Sequence, residues 1–156
     1  MWLSDETFKS VIQHTPLISI DLIVRNEQGE VLLGKRVNAP AKGYWFVPGG
    51  RVRKNETLDD AFVRLVKEEL GIESGITRAD TKFLGVFEHF YDDCVFGNDV
   101  STHYIVLGYE IRQKKVLQLP LKQHLAYQLF EENLIFKMDS VHQYTNNYFN
   151  EIHNEV

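Results

Sequence analysis

The stretch from Gly50 to Ile72 constrains this chain most, because it predicts a helix whose apolar stripe ends in a carboxylate. The stripe follows the i, i+3, i+4, i+7, i+8 spacing of a buried helix face and continues to Glu69. Its apolar members are Leu58, Ala61, Phe62, Leu65 and Val66. An ionised carboxylate left unpaired in an apolar interior is costly, so Glu69 should pair with an arginine, bind a metal or give up its charge.

Composition narrows the function classes. The 156 residues fit one domain, 1–156, and the hydrophobic content of 44% is that of a globular protein. A net charge of -5 argues against nucleic acid as a partner, although the basic clusters at 35–36 and 51–54 could bind phosphates. The acidic start, the single cysteine Cys94 and the lack of a long apolar run predict a cytoplasmic protein without a membrane partner.

The patterns of apolar and turn residues predict an α+β fold, with a mixed β-sheet packed between helices. A short helix begins at Ser4 and is ended by Pro16, and a second helix is capped by Asn55 or Thr57 and ended by Gly71. The predicted strands are 17–24, 30–36, 44–47, 83–90, 102–111 and 127–130. Two further helices are expected at 131–137 and 140–153.

The segment around the second helix resembles the Nudix box. That pattern reads Gly, five residues, Glu, seven residues, Arg-Glu, an aliphatic residue, any residue, Glu-Glu, any residue, Gly and an aliphatic residue. The matching positions are Gly50, Glu56, Arg64, Val66, Glu68, Glu69, Gly71 and Ile72. Leu65 departs from the pattern, because it stands where the box has a glutamate.

The departure at Leu65 predicts a change in metal binding. Positions 65 and 69 are four residues apart and share a helix face, so the usual box presents two carboxylates there to divalent cations. In the general family those cations bridge a diphosphate and help to activate the water that attacks phosphorus. With Glu69 alone on that face, we expect fewer metal ions and a ligand from elsewhere in the fold.

Motifs outside the box are similar to those of one subfamily, the GDP-mannose mannosyl hydrolases. They lie at 15–17, 33–36, 43–52, 89–93, 102–104 and 123–124, and the likeness spans residues 2 to 130. The resemblance implies hydrolysis of GDP-mannose, or a close GDP-hexose, to GDP and free sugar by water attack at the anomeric carbon with inversion. Two alternatives stay open: diphosphate cleavage to a nucleoside monophosphate and a sugar phosphate, and a non-catalytic nucleotide-sugar-binding module.

The same resemblance implies roles for individual residues. One Mg²⁺ per subunit, with Mn²⁺ as a substitute, would be held by the Gly49 carbonyl, Glu69 and Gln123. His124 would act as general base, and Arg36 would stabilise the departing diphosphate. The expected substrate contacts are Asp21, Arg36, Arg51, Arg64, His89 and Tyr104. A homodimer is also implied, with the N-terminal segment around Trp2 and Phe8 as a contributor.

Several of these residues also have a structural interpretation. Glu68 either pairs with Arg64 one turn earlier, which the spacing favours, or adds an outer contact to the metal. Glu56 is expected to pair or hydrogen-bond near the loop before the helix. His89 could belong to the site or to the core. Without the resemblance, His124 would be read as a solvated histidine in a polar loop, and His142 as a surface residue.

Overall fold

The computed structural model describes residues 2–114 and 124–149. Within these residues, the strands are β1 (Leu17–Arg25), β2 (Val31–Arg36), β3 (Trp45–Phe46), β4 (Gly49–Arg51), β5 (Lys82–Tyr91), β6 (Thr102–Arg112) and β7 (His124–Phe130). The α-helices of this described part are α1 (Asp5–His14), α2 (Leu58–Leu70), α3 (Glu132–Ile135) and α4 (Gln143–Asn146), with 3₁₀ turns at Arg78–Asp80 and Asn147–Phe149. In the described part of the chain, no helix is long and apolar enough to cross a membrane.

The strands form a mixed sheet, which confirms the predicted fold class. β1 runs parallel to β6 and antiparallel to β4, while β5 pairs antiparallel with β6 at the edge. β2 joins β1 through the hairpin pair Arg25 and Val31, and pairs antiparallel with β3 and β7. β1 and β6 pair along their length. β4 lies beside β1 on one side of this pair, and β5 lies beside β6 on the other.

Helix α2 forms as its sequence predicts and packs on one face of the sheet. The Thr57 side chain accepts a hydrogen bond from the Asp60 amide at 3.1 Å, and Gly71 ends the helix in the left-handed conformation at φ 70°. Its apolar stripe packs against Ile20 and Leu22 of β1. The opposite face of the sheet packs against the C-terminal segment, which contributes Ile135, Val141, Tyr148 and Phe149 to a second core.

Some predicted boundaries are wrong. The predicted strand at 44–47 is reduced to two residues, and the Gly-Gly-Arg segment that follows it pairs with β1 as the separate strand β4. The expected helix at 131–137 covers Glu132–Ile135. The expected helix at 140–153 is a single turn, α4, followed by a 3₁₀ turn as far as Phe149, and 150–153 lie outside the described residues.

An ion pair ties the loop before α2 to the helix itself. Arg64 donates to both carboxylate oxygens of Glu56 at 2.6 and 2.9 Å, and the Arg53 amide donates to the same carboxylate at 2.9 Å. Arg64 also donates to the carbonyl of Arg51 at 2.9 Å. These contacts lower the pKa of Glu56 to about 2, with the hydrogen bond from Arg64 as the largest cause. We call these contacts of Arg64 with Glu56 and the Arg51 carbonyl the Glu56–Arg64 clamp. It fixes α2 relative to β4.

We predict that Glu56→Gln destabilises the protein by about 1–3 kcal/mol at pH 7, because it removes a charge-assisted acceptor that is only 14% exposed. The pKa of Glu56 is lower in the folded chain, so its contribution is complete above the usual value of 4.5 and is lost as the pH falls towards 2. Urea unfolding at several pH values should therefore show the difference from wild type shrinking below pH 5.

Glu73→Gln is the matched control. Glu73 pairs with Lys67 at 3.1 Å but is 75% exposed, so its loss should cost less than about 1 kcal/mol. A Glu56→Gln effect no larger than that of the control, or one that stays constant from pH 7 to pH 3, would contradict the clamp.

Candidate active site

A cleft of about 510 Å³ opens over the sheet between α1, α2 and β5. Every element of the central sheet except β3 and β7 supplies a described candidate residue to it. Its walls include Asp21 from β1, Arg36 from β2, Gly49 and Arg51 from β4, Arg64 and Glu69 from α2, His89 from β5 and Tyr104 from β6. The sequence-predicted residues that the structure describes with their side chains are therefore brought together on one surface.

Glu69 is buried on the inner face of α2, as the stripe predicts. It is 5% exposed, and in the described part of the chain neither a hydrogen bond nor an ion pair reaches its carboxylate. Burial, helped by the neighbouring Glu68 charge, raises the pKa of Glu69 to about 7. The described residues do not show the direct ion pair between Glu69 and an arginine that was one of the expected alternatives. A carboxylate in this state is suited to a cation.

Leu65 occupies the place beside Glu69 where the box pattern has its other carboxylate. Its side chain is 2% exposed and lies against the backbone of Gly50, where an added Cβ would be 2.5 Å from Leu65 Cδ2. Glu68, by contrast, points outward and pairs with Arg64 at 3.0 Å, which confirms the predicted pairing. Glu69 is thus the single buried carboxylate on this face of α2.

Asp21 is the second buried acid of the cleft, 7% exposed in the middle of β1. One neighbour across the sheet is Gly49 and the other is Gly108. A Cβ on Gly49 would lie 2.5 Å from Asp21 Oδ1, so glycine is needed at that approach. Burial raises the pKa of Asp21 to about 7, while a hydrogen bond donated by the hydroxyl of Tyr148 opposes the rise.

Arg36 and His124 are cross-strand neighbours in the register of β2 and β7. The Nε of Arg36 donates to the carbonyl of Pro40 at 2.8 Å, which holds the guanidinium at the cleft. Its charge acts to lower the pKa values of both Asp21 and Glu69. The loop position expected for His124 is wrong, because its backbone opens β7. Gln123 lies outside the described residues.

The other two arginines differ in how much of their hydrogen-bonding capacity is used. Arg64 donates four hydrogen bonds, to Glu56, Glu68 and the Arg51 carbonyl. A phosphate group could bind Arg64 only by displacing one of them. Arg51 has its guanidinium 4.6 Å from the ring centre of Phe8 on α1. This geometry favours Arg51 over Arg64 as a phosphate contact.

His89 lines the cleft, 3% exposed, and contacts the rings of Phe46, Tyr144 and Tyr148. Burial lowers its pKa to about 3, so the imidazole is neutral, and its Nε2 has no hydrogen-bond partner among the described residues. Tyr144 stacks on it with ring centres 4.3 Å apart and 4° between the planes. Tyr104 lines the same cleft, and burial raises its pKa, so its hydroxyl stays protonated.

The C-terminal segment contacts two residues of the cleft, which its sequence did not predict. His142, interpreted as a surface residue, is partly buried: its Nδ1 accepts a hydrogen bond from the Tyr144 amide at 3.1 Å and its ring packs on Phe46. Tyr144 and Tyr148 contact His89 and Asp21 from more than fifty residues away in sequence. The run of tyrosines four residues apart was the available signal, but only the fold shows what they touch.

The cleft combines groups that suit a metal-bound anion. Glu69 offers a carboxylate without a described protein partner, and Gly49, whose carbonyl oxygen is a second candidate ligand, lines the same cleft. Hard oxygen donors of this kind fit Mg²⁺. The described residues contain no group of three or more His, Cys, Asp or Glu side chains placed to hold a metal by themselves. Arg36 and Arg51 add positive charge for phosphate oxygens.

Comparison with known proteins identifies the family. The model of the NUDIX domain matches residues 15–148. The low-salt glycan biosynthesis protein Agl8 of Haloferax volcanii is 46% identical over 109 residues, which cover 70% of this chain and 67% of that protein. An ADP-ribose pyrophosphatase of Methanocaldococcus jannaschii is 42% identical over 57 residues, covering 36% of this chain and 33% of that protein.

Solved structures of related proteins have a similar fold. The MutT protein of Methanosarcina mazei Go1 has a TM-score of 0.69 at 25% identity, covering 90% of this chain and 95% of that one. The NUDIX domain of Shewanella oneidensis NrtR, crystallised with ADP ribose, has a TM-score of 0.64 at 14% identity, covering 94% and 96%, and so shares the fold. With the family match over most of its length, this chain belongs to the Nudix hydrolase family.

Proposed function

We propose that this Nudix hydrolase cleaves GDP-mannose, or a close GDP-hexose, to GDP and free sugar by water attack at the anomeric carbon. The observation that carries the proposal is the apolar Leu65 beside the buried Glu69. One buried carboxylate on α2, where the box pattern has two, favours a reaction that needs less metal assistance at phosphorus. Attack at carbon is such a reaction, because a bound metal would only have to stabilise the diphosphate leaving group.

Magnesium fits the cleft as the cofactor. Glu69 and the Gly49 carbonyl would hold one Mg²⁺ together with the side chain of Gln123, a residue outside the described part of the chain. When bound, the ion would neutralise negative charge on the diphosphate. The pKa of about 7 at Glu69 supports this assignment, since a nearby cation would stabilise the ionised carboxylate that burial disfavours.

Two arginines bind and stabilise the GDP leaving group. Arg36, held at the cleft by the Pro40 carbonyl, places a permanent positive charge near Asp21 and Glu69. Arg51 lies on the β4 side of the same wall. As the bond to the sugar breaks, charge grows on the diphosphate, and guanidinium groups already in place there stabilise it in the transition state.

His124 is the general base in this proposal. Imidazole is the side chain that most often accepts a proton from water in catalysis near neutral pH. The backbone register supports the assignment, because it makes His124 the cross-strand neighbour of Arg36. Water activation and leaving-group stabilisation would then come from adjacent positions on two paired strands.

The sugar would occupy the end of the cleft that Asp21, His89 and Tyr104 line. Asp21 can accept hydrogen bonds from sugar hydroxyls, and the neutral His89 has a buried Nε2 without a described partner. Tyr104 offers a protonated hydroxyl. A site built to hydrogen-bond particular hydroxyls discriminates strongly against analogues that leave those groups unpaired.

We also propose that the chain forms one domain and assembles as a homodimer through its N-terminal segment. Trp2 is 85% exposed and lines the cleft beside Arg53, whose guanidinium lies 5.3 Å from the ring centre. An exposed tryptophan at the edge of a binding cleft is suited to burial against a partner subunit.

Hydrolysis of GDP-mannose in ¹⁸O-labelled water distinguishes the proposal from diphosphate cleavage. We expect GDP and free hexose as products, with the label in the hexose, because water attacks carbon. Mass spectrometry of both products reads the position directly. Label in the nucleotide or in a sugar phosphate, together with GMP, would establish diphosphate cleavage instead, and binding without turnover would establish a binding module.

His124→Gln should lower turnover by about 10²- to 10⁴-fold, the usual contribution of a general base, while leaving GDP-mannose affinity largely unchanged. His14→Gln is the matched control, because His14 lies on the exposed surface of α1 and hydrogen-bonds to the Ser10 carbonyl. Steady-state kinetics and calorimetric binding measure both quantities. Wild-type turnover in the His124 variant would remove this residue from the mechanism.

A further inference from the structure

We propose that Tyr148 is a positioning residue for the sugar end of the cleft, and that its hydroxyl holds the Asp21 carboxylate in the orientation that receives the hexose. This inference rests on the proposed function, which places the hexose beside Asp21. Tyr148 does not line the cleft itself, whereas Asp21 does. It therefore acts on substrate through Asp21.

The contact joins two buried groups. The Tyr148 hydroxyl donates a hydrogen bond to Asp21 Oδ2, with Tyr148 8% exposed and Asp21 7% exposed. Burial and the Asp21 charge raise the pKa of Tyr148 well above its usual value, so the hydroxyl keeps its proton. A hydrogen bond from a neutral donor to a buried carboxylate is stronger than an ordinary one. It leaves Oδ1, on the Gly49 side, for substrate.

The sheet is built to admit the Tyr148 ring. Gly108 is the cross-strand neighbour of Asp21 on β6, and a Cβ there would lie 3.2 Å from Tyr148 Cε1. The ring also packs edge-on against Phe87 with centres 4.6 Å apart. A glycine at this position therefore lets the ring lie close to the sheet, within reach of the carboxylate on the next strand.

Asp21 needs such a contact because its neighbours across the sheet are glycines. Gly49 and Gly108 offer no side chain to fix the carboxylate. Among the described residues, the one side-chain hydrogen bond that reaches Asp21 comes from Tyr148. Without it, the carboxylate could rotate between conformers of similar energy, and fewer molecules would present the oxygen that the sugar needs.

The segment that carries Tyr148 is itself fixed at the same end of the cleft. The Tyr144 hydroxyl donates to the Phe90 carbonyl at 2.8 Å and accepts from the Phe90 amide at 3.0 Å, which attaches α4 to the edge of β5. The Tyr144 ring stacks on His89. One short C-terminal segment thus supports both Asp21 and His89 from the side away from substrate.

Tyr148→Phe tests the inference, because it removes the hydroxyl and keeps the ring contacts with Phe87 and Gly108. We expect kcat/KM for GDP-mannose to fall roughly 10- to 100-fold, the worth of a hydrogen bond to a charged group. Discrimination between GDP-mannose and GDP-glucose should narrow. The inhibition constant of GDP, which has no sugar, should stay within about twofold of wild type.

Tyr109→Phe is the matched control. Tyr109 is 4% exposed on β6, in the core beneath α2, and its hydroxyl accepts from Arg78 at 3.3 Å. Tyr109→Phe shows how much the loss of a buried tyrosine hydroxyl away from the cleft affects folding. Thermal unfolding measures that effect in both variants. The inference is overturned if Tyr148→Phe changes kinetics no more than the control does, or if GDP affinity falls as much as kcat/KM. A wild-type protein inactive on every GDP-hexose would instead overturn the proposed function, and the inference with it.

Discussion

The burial of one carboxylate, Glu69, is the constraint on which the rest of the site depends. Glu69 lies on the apolar stripe of α2, so its side chain faces the interior. It is 5% exposed and has no protein partner among the described residues. Such a group is stable only when protonated or beside a cation. The stripe that anchors α2 to β1 therefore also places at the cleft a carboxylate that a cation would stabilise.

The surrounding structure keeps that demand in one place. The Thr57 cap and Gly71 set the ends of α2, and the Glu56–Arg64 clamp ties it to β4. These contacts hold Glu69 in the same cleft that Gly49 lines. Asp21 and Glu69 line the same cleft as Arg36 and Arg51, so it holds both acidic and basic side chains, as the proposed binding of a metal and a diphosphate requires.

Local patterns were enough to predict most of the fold and the acidic half of the site. The 3.6-residue stripe placed Glu69 inside because helix burial follows periodicity, and an acid within the apolar strand β1 singled out Asp21. The spacing of Arg64 and Glu68 was enough to predict their pairing. The box pattern and the motifs around it supplied the arginines and the histidine, and the structure brings the described ones to one cleft.

What the sequence could not predict depends on long-range contacts. Tyr148 reaches Asp21 across 127 residues, and no local pattern encodes that approach. The strand at Gly49–Arg51 was missed because two glycines have low strand propensity, while pairing with β1 overrides it. His142 was predicted to lie on the surface of a long C-terminal helix. In the structure that helix is a single turn, and the ring of His142 packs on Phe46.

The count of metal ions bound with GDP tests the central claim most directly. Equilibrium dialysis against Mn²⁺ and GDP, with both retained species quantified, should give one Mn²⁺ and one GDP per chain. Glu69→Gln should weaken Mn²⁺ retention roughly tenfold or more, whereas Glu68→Gln, which alters only the outward-facing neighbour, should not. Two Mn²⁺ ions per chain, or unchanged retention in Glu69→Gln, would contradict a site organised around one buried carboxylate.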